Sequence, residues 1–287
     1  MCRADRTKTA GFCGAGSQVK VARAALHLWE EPCISGTNGS GTVFFSGCTL
    51  KCVFCQNYSL SHENFGKEIS VNRLSEIFLE LQEQGAHNLN LVTATHYLPS
   101  VLKALDLAKP ALHIPVVYNC GGYERVETIR ALSGYVDIYL PDLKYYDEAL
   151  AKKYSAAGDY FPVASEAIKE MLRQTGGLSW KEENPALLSR GVLLRHMVLP
   201  GAKEDSIRLL HWIKKELPPG TFLLSLLSQY TPFYRSREFP EINRRLTSYE
   251  YRKVVDTAIR LGLTDGYMQE KSSAREEYTP PFDLSGV

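Results

Sequence analysis

From Thr42 onward, short apolar runs rich in β-branched and aromatic residues alternate along the chain with amphipathic segments. Continuous apolar runs of this kind are typical of parallel strands that are buried on both faces. The final run is short, and we expect it to return to the edge of the sheet. The predicted strands are Thr42–Phe45, Leu89–Thr93, Ile114–Tyr118, Val136–Leu140, Val192–Val198, Phe222–Leu227 and Gly266–Gln269.

Between these runs, apolar residues recur at helical spacing, and several of the segments end at a proline or a glycine. Strand–helix alternation predicts a parallel sheet with right-handed crossovers. Six main strands fit either an open doubly wound sheet or a partial barrel, and periodicity alone does not separate the two. The predicted helical stripes run through Leu74–Leu81, Val101–Ala108, Val126–Leu132, Ile207–Ile213 and Val254–Leu261.

The two ends of the chain differ from this central α/β unit, which we place at residues 42–270. Residues 1–41 are rich in Gly, Ser and Thr and form an irregular N-terminal extension, in which apolar spacing predicts one helix through Val19–Trp29. Residues 271–287 are polar and contain two prolines, so we expect a surface strap or a flexible end. The extension also contains Cys2, Cys13 and Cys33.

Composition restricts the class of protein. The 287 residues are 44% hydrophobic and 23% charged, as in ordinary globular proteins, and a net charge of +1 predicts no nucleic-acid binding by bulk electrostatics. The sequence has neither the roughly 18 apolar residues of a membrane span nor the apolar core of a secretory signal. We therefore expect a cytoplasmic protein with reduced thiols, in which seven cysteines indicate metal or redox chemistry.

The most informative motif is Cys48-x3-Cys52-x2-Cys55, directly after the first predicted strand. Parallel α/β folds place their chemistry at the carboxyl ends of strands. Adjacent thiolates repel one another unless a cation lies between them, and a soft metal centre suits them. Since cubane iron–sulfur clusters normally take four thiolates, three local cysteines leave one iron open to a small molecule.

Two other interpretations of the triad remain open on spacing alone. A zinc site could be completed by His62, Cys33 or Cys120, although a second CxxC pair would be the better zinc signature. Cys52 and Cys55 also have the spacing of a thioredoxin-like redox pair, which the additional Cys48 disfavours.

The triad with an aromatic residue before its last cysteine, here Phe54, resembles the signature of the radical S-adenosylmethionine (SAM) superfamily. Further stretches resemble proteins named after pyruvate formate-lyase activating enzyme, and together they cover roughly residues 10–270. These stretches are Trp29–Gly36, Gly41–Asn57, Val116–Glu124, Asp137–Tyr145 and Leu194–Gly201.

This resemblance implies a partial (β/α)6 barrel that holds a [4Fe-4S] cluster on Cys48, Cys52 and Cys55. It also implies that the amino and carboxylate groups of SAM bind the open iron. The reduced cluster would cleave SAM to methionine and a 5′-deoxyadenosyl radical, which abstracts a hydrogen atom from the substrate. The cofactors carry this chemistry, while the protein supplies placement and exclusion of water.

Several residues are candidates for contact with SAM. The family's aromatic residue packs near the adenine, a role that falls to Phe54. The family's glycine-rich turn after the second strand is replaced here by Thr93-Ala94-Thr95-His96, whose Thr93, Thr95 and His96 side chains offer hydroxyl and imidazole partners. Asn119, before a Gly-Gly pair, is a candidate for hydrogen bonds to the ribose or carboxylate.

The remaining candidates are charged residues near strand ends. Asp142 and Lys144 resemble the Asp-Leu-Lys string of glycyl-radical activating enzymes, and a surface ion pair is the alternative interpretation. Arg195 interrupts an apolar strand, where a charge is costly unless it is paired. It suits either the SAM carboxylate or a buried structural salt bridge. Weaker candidates for the rim are Gln229 and Tyr230, and a structural role is expected for His196.

The sequence therefore predicts a cytoplasmic radical SAM enzyme with a [4Fe-4S] cluster and SAM as cofactors. The leading substrate is a glycine residue in a glycyl-radical enzyme, with a flavodoxin- or ferredoxin-type reductant. The alternatives are a radical SAM enzyme acting on a small molecule or another protein, and a non-catalytic zinc or iron–sulfur binding module.

Overall fold

A computed structural model describes residues 4–269 and 280–287 of the chain. Strands and helices alternate through most of this part, in positions close to those that the hydrophobic pattern predicts. The strands are β1 (Val19–His27), β2 (Ser40–Phe45), β3 (Lys67–Ile69), β4 (Leu89–Val92), β5 (Val116–Cys120), β6 (Ile138–Pro141), β7 (Ser179–Trp180), β8 (Leu188–Met197), β9 (Phe222–Leu227) and β10 (Gly266–Met268). The α-helices are α1 (Pro32–Ser35), α2 (Tyr58–Ser61), α3 (Val71–Glu83), α4 (Leu98–Ala108), α5 (Val126–Ala131), α6 (Glu148–Ser155), α7 (Tyr160–Thr175), α8 (Lys203–Glu216) and α9 (Ser248–Arg260).

One main sheet runs through the described chain in the order β10-β9-β8-β6-β5-β4-β2-β1-β3. The strands from β2 to β10 in this order are parallel, and their spatial order follows the sequence without a reversal. Because right-handed crossovers that always step the same way place every helix on the same face, the sheet curls into a partial barrel. A doubly wound sheet requires a reversal of strand order, and this sheet has none among its parallel strands.

The predicted helix through Val19–Trp29 is wrong, because β1 occupies Val19–His27 and pairs antiparallel with β2 and β3. Val19 and Val21 are both buried and sit two residues apart, which is strand periodicity. The pairing with β2 shifts register between Val21 and Arg23, so a bulge disturbs the alternation and produces the apparent helical spacing.

The connection from β1 to β2 lies inside the barrel. Cys33 and Ile34 of α1 are buried against side chains of β5, β6, β8 and β9. The chain therefore fills its own barrel interior below the carboxyl ends of the strands, and Glu30 and Glu31 enter the interior on the same segment.

The last described segment lies along β1. Ala24 donates a backbone hydrogen bond to Ser285 at 2.8 Å, and Arg23 pairs with Asp283 at 2.7 Å. Residues 280–287 thus form a strap over the sheet edge, while the preceding part of the predicted tail lies outside the described residues. Among the helices of residues 4–269 and 280–287, none has the length and apolar character needed to span a membrane.

Candidate functional site

The loop Gly47–Cys55 leaves the carboxyl end of β2 and is held against the end of α6. Lys51 donates its backbone N–H to the carbonyl of Ser155 at 3.1 Å, and Val53 donates to that of Tyr154 at 2.9 Å. These two bonds hold the backbone on either side of Cys52, the second cysteine of the motif. The hydrophobic pattern did not predict α6, because apolar residues are sparse in this helix.

The three thiols of this loop lie close to one another, with Cys52 buried and Cys48 and Cys55 partly buried. Burial, together with the negative charge of Cys52, raises the pKa of Cys48 to about 12 and that of Cys55 to about 11. The ammonium of Lys144 acts in the opposite direction on all three thiols, including Cys52. Groups in this environment become thiolates when a metal centre compensates their charge.

Each of the three sulfurs also receives a hydrogen bond, as thiolate ligands of a cluster commonly do. The donor–sulfur pairs are Leu50 N to Cys48 Sγ at 3.4 Å, Ser155 Oγ to Cys52 Sγ at 3.0 Å and Ser61 Oγ to Cys55 Sγ at 3.2 Å. The donor set, its burial and its hydrogen bonds therefore fit an iron–sulfur cluster.

The arrangement does not favour a single zinc ion. Within residues 4–269 and 280–287, no three His, Cys, Asp or Glu side chains converge on a point where one ion could bind. A cubane cluster does not require such convergence, because each thiolate binds a different iron. Of the proposed fourth ligands, Cys33 lies in the barrel interior, and the Nδ1 of His62 is 2.8 Å from Ser61 Oγ. Alternation along β5 places the Cys120 side chain in the outer core, on the opposite face of the strand from Asn119, although Cys120 also borders the cavity described below.

The thiols open onto a cavity of about 270 Å³ at the carboxyl ends of the parallel strands. This volume is near the lower end of small-molecule sites, roughly 300–1,000 Å³. Every strand from β2 to β9 in the parallel set contributes to its wall, directly or through the residues that follow it. The polar lining residues are His27, Glu30, Cys48, Cys52, Cys55, Gln56, Asn57, Thr93, Asn119, Cys120, Asp142, Lys144, Arg195 and Gln229.

A charged network centred on Arg195 forms one side of this cavity. The guanidinium donates from Nε to Asp142 at 3.0 Å, from Nη1 to Glu30 at 3.0 Å and from Nη2 to Asn119 at 2.6 Å. Lys144 Nζ donates to the other oxygen of Asp142 at 2.6 Å. Three of the five N–H donors of Arg195 are therefore used inside the protein, and the network pairs two cations with two carboxylates.

The pKa values of these groups reflect their mutual pairing. Burial favours the neutral acid of Asp142, but the charges of Arg195 and Lys144 outweigh burial and lower its pKa. Burial likewise disfavours both cations, but the surrounding negative charges together outweigh it and raise the pKa of each. These charges are Asp142, Glu30 and Glu31 for Arg195, and Asp142 and Cys52 for Lys144. The charges are therefore fixed across the neutral range, and their geometry is held by hydrogen bonds.

Glu30 is a site residue that the sequence analysis did not single out. Its Oε1 accepts hydrogen bonds from Asn90 at 3.1 Å and from Asn119 at 3.0 Å, while its Oε2 accepts from Arg195. The available signal was two adjacent acidic residues, Glu30 and Glu31, between Trp29 and an apolar stretch. The sequence does not show that this segment passes through the barrel, and two adjacent acidic residues are more typical of a solvent-exposed surface.

Phe54 and Thr93 both line the cavity. The buried Phe54 ring packs edge-on against Tyr230, with ring centroids 5.7 Å apart. Thr93 has φ of +61°, a left-handed conformation that a β-branched residue adopts only under constraint. Its N–H donates to the carbonyl of Asn119 at 2.8 Å, and this bond holds the turn against the next strand.

Thr95 and His96, predicted to contact SAM, are not among the residues that line the cavity. A 3₁₀ turn over Thr95–Tyr97 directs them elsewhere. Thr95 donates to the buried carboxyl of Glu124 at 2.6 Å. The Nε2 of His96 lies 2.7 Å from the carbonyl oxygen of Ser46, and burial lowers the pKa of His96 to about 4, so the neutral ring supports the start of the cysteine loop.

The remaining candidates are separated in space. Gln229 lies at the cavity wall, whereas the buried Tyr230 donates to the carbonyl of Ile242 at 2.8 Å. The cysteines of the N-terminal extension do not form one group, since Cys13 and Cys33 belong to different apolar clusters and Cys2 lies outside the described residues.

Comparison with known proteins places the chain in a family. A family model described as the Radical SAM superfamily matches residues 42–213. The chain is also similar to the uncharacterized protein MJ0674 of Methanocaldococcus jannaschii, with 29% identity over 272 residues, which is 91% of this chain and 73% of that protein.

Solved structures show the same fold at low sequence identity. One is anSMEcpe with bound AdoMet and Cp18Cys peptide, at 13% identity and a TM-score of 0.52, covering 77% of this chain and 60% of that chain. Another is HydG, a maturase of the [FeFe]-hydrogenase, at 15% identity and a TM-score of 0.51, covering 83% and 53%. The chain spans about half the length of the similar solved chains, 46% for Streptococcus suis SuiB bound to precursor peptide SuiA, where the TM-score is 0.46.

Proposed function

Because the chain belongs to the radical SAM superfamily, whose cofactors are a [4Fe-4S] cluster and SAM, we propose that Cys48, Cys52 and Cys55 hold that cluster at the mouth of the barrel. The observation that carries this assignment is the meeting of one buried and two partly buried thiols, each with a hydrogen-bond donor, beside the Lys144 ammonium. When bound, the reduced cluster supplies the electron that cleaves SAM to methionine and a 5′-deoxyadenosyl radical, which removes a hydrogen atom from the substrate.

Other residues of the cavity bind different groups of SAM. Lys144 offers a cation to the carboxylate of SAM, and Asp142 offers an acceptor to its amino group. Arg195 acts as a positioning residue, because its bonds to Glu30, Asn119 and Asp142 hold the polar wall in place. Phe54 offers an aromatic surface to the adenine.

The proposed substrate is a glycine residue in a glycyl-radical enzyme. The Asp142-Leu143-Lys144 string that resembles activating enzymes lies at the cavity, which supports this assignment. The cavity also reaches the surface at Trp29, whose side chain is 56% exposed, so an inserted peptide loop has a route to the site. A related fold that holds AdoMet and a peptide together, as in anSMEcpe, is compatible with such a substrate.

The cluster assignment is tested by anaerobic reconstitution. About four iron and four sulfide per chain, together with release of 5′-deoxyadenosine from SAM, are expected for the unchanged protein. Cys48→Ala, Cys52→Ala and Cys55→Ala should each abolish the release, whereas the matched control Cys33→Ala should retain it. Release of 5′-deoxyadenosine by a triple alanine variant would contradict the assignment.

The substrate is tested with the same reconstituted protein. Incubation with a candidate glycyl-radical enzyme, SAM and reduced flavodoxin or ferredoxin should produce a protein-centred EPR doublet. A preparation that cleaves SAM but yields no doublet across a panel of such enzymes would refute glycyl-radical activation and favour another substrate.

A further inference from the structure

Two serine hydroxyls contact the proposed cluster ligands, and they differ in how their protons are committed. Ser155 Oγ lies 3.0 Å from Cys52 Sγ, and Ser61 Oγ lies 3.2 Å from Cys55 Sγ. A hydroxyl has one proton to donate and can accept from other groups. The second partner of each serine therefore decides whether its proton is available to sulfur.

The second partner of Ser155 is the hydroxyl of Tyr145, with the two oxygens 2.7 Å apart. Since a thiolate sulfur only accepts, Ser155 donates to Cys52, and Tyr145 must then donate to Ser155. Ser155 is fully buried and Tyr145 is 1% exposed, so water does not compete for either proton. The result is a directed chain from Tyr145 through Ser155 to Cys52.

The position of this chain is fixed by the backbone. The carbonyl of Ser155 accepts the N–H of Lys51 at 3.1 Å, which ties the end of α6 to the residue that precedes Cys52. The same residue thus holds the loop through its backbone and the ligand through its side chain.

Ser61 is less committed. Its Oγ lies 2.8 Å from Nδ1 of His62, which can accept the serine proton in place of Cys55. The proton of Ser61 is therefore divided between two acceptors, whereas that of Ser155 has one.

We propose that the Tyr145–Ser155 chain tunes the reduction potential of the cluster through Cys52. This inference rests on the proposed role of Cys52 as a ligand. Reduction adds negative charge that is spread over the cluster and its sulfur ligands, and a hydrogen bond donated to a ligand sulfur stabilises the reduced form. In a buried site a chain of donors polarises each member, so Tyr145 strengthens the bond that Ser155 makes.

The test is a redox titration of the reconstituted holoenzyme, followed by the EPR signal of the reduced cluster. Ser155→Ala should lower the ratio of reduced to oxidised cluster at a fixed potential about tenfold, which corresponds to a shift of about 59 mV for one electron. The double variant Ser155→Ala with Tyr145→Phe should give the same shift, because the tyrosine acts only through the serine. Tyr145→Phe alone should give a smaller shift in the same direction. Ser165→Ala is the matched control, since that buried serine donates to the carbonyl of Pro162 on α7.

The outcomes distinguish failure of the tuning role of the Tyr145–Ser155 chain from failure of the assignment of Cys52 as a cluster ligand. An unchanged titration curve for Ser155→Ala, with full iron and sulfide content, would overturn the tuning role. If Ser155→Ala does not assemble a cluster, Tyr145→Phe decides, because it keeps every atom of Ser155, and an unshifted curve there would also overturn it. A Cys52→Ala variant that assembles the normal cluster would instead refute the ligand assignment.

Discussion

Glu124 provides a prediction on pH-dependent stability that follows from burial alone. Its carboxyl is 2% exposed and has only hydroxyl partners, at 2.6 Å from Thr95 and 3.5 Å from Tyr118. Burial raises the pKa of Glu124 to about 8, although the two hydroxyls oppose the shift. No cation donates to it in the described part of the chain, so ionisation in the folded state is costly.

The sign and size of the effect follow from linkage. The unfolded chain releases this proton near its ordinary pKa, while the folded chain keeps it up to about pH 8. The contribution to the free energy of unfolding is therefore complete below the unfolded pKa and is lost as the pH rises toward 8. Between pH 6 and pH 8 the loss is about 2 kcal/mol, from about 1.4 kcal/mol per pH unit with partial ionisation near pH 8.

Glu124→Gln removes this titration while retaining a side chain that can bond to Thr95. We expect the thermal midpoint of the variant to rise relative to that of the unchanged protein between pH 6 and pH 8, by about 4 °C at about 2 °C per kcal/mol. The assay is circular dichroism melting at a series of pH values, with the exposed Glu83→Gln as control. Parallel curves for the variant and the unchanged protein across this range would refute the reasoning.

Three further predictions concern two residues of the cavity wall and one glycine packed behind it. Arg195→Lys should lower the thermal midpoint and weaken SAM binding measured by calorimetry. An ammonium cannot span three partners and leaves a carboxylate of the network unpaired, at a cost of about 3–5 kcal/mol. Equal stability of the variant and the unchanged protein would contradict this role. Thr93→Gly should raise the free energy of unfolding in urea by about 1 kcal/mol, because relief of the left-handed strain exceeds the added chain entropy; a loss of stability would show that the Thr93 side chain contributes more than its strain costs. Gly122→Ala should lower the free energy of unfolding by about 3 kcal/mol or more in the same assay. A Cβ there would lie 2.0 Å from the Asp142 carbonyl and 2.9 Å from the Tyr160 hydroxyl, at a φ of +77°. A change below about 1 kcal/mol would mean that the turn at Gly122 moves easily away from Asp142 and Tyr160.

The hydrophobic pattern predicted the parallel strands and most of their crossover helices because the central strands are buried along most of their length and the helices each bury one apolar face. Phe222–Leu227 has the predicted bounds, and Gly266–Met268 joins β9 at the sheet edge as expected. The pattern did not predict α7, although it buries nine residues, because its apolar positions are interrupted by buried Ser and Glu side chains.

Site residues could be predicted from the sequence where they lie close together in the chain or directly after a predicted strand. They could not be predicted where their position depends on the path of the chain through the barrel. The cysteine triad needs only its spacing, and Asp142 and Lys144 follow from strand-end position. Glu30 reaches the cavity through the path of the β1–β2 connection, which no local pattern encodes. Thr95 lies two residues beyond a cavity residue, but one 3₁₀ turn redirects it to Glu124.

The passage of the β1–β2 connection through the barrel makes the family-matched region dependent on what precedes it. A fragment beginning at Ser40 would retain the parallel strands but would have a cavity where Cys33 and Ile34 now pack. Arg195 would also lose its carboxylate partner Glu30. The smallest autonomous unit must therefore include β1 and its connection, so a trimmed fragment that keeps only the matched strands should expose apolar surface and aggregate.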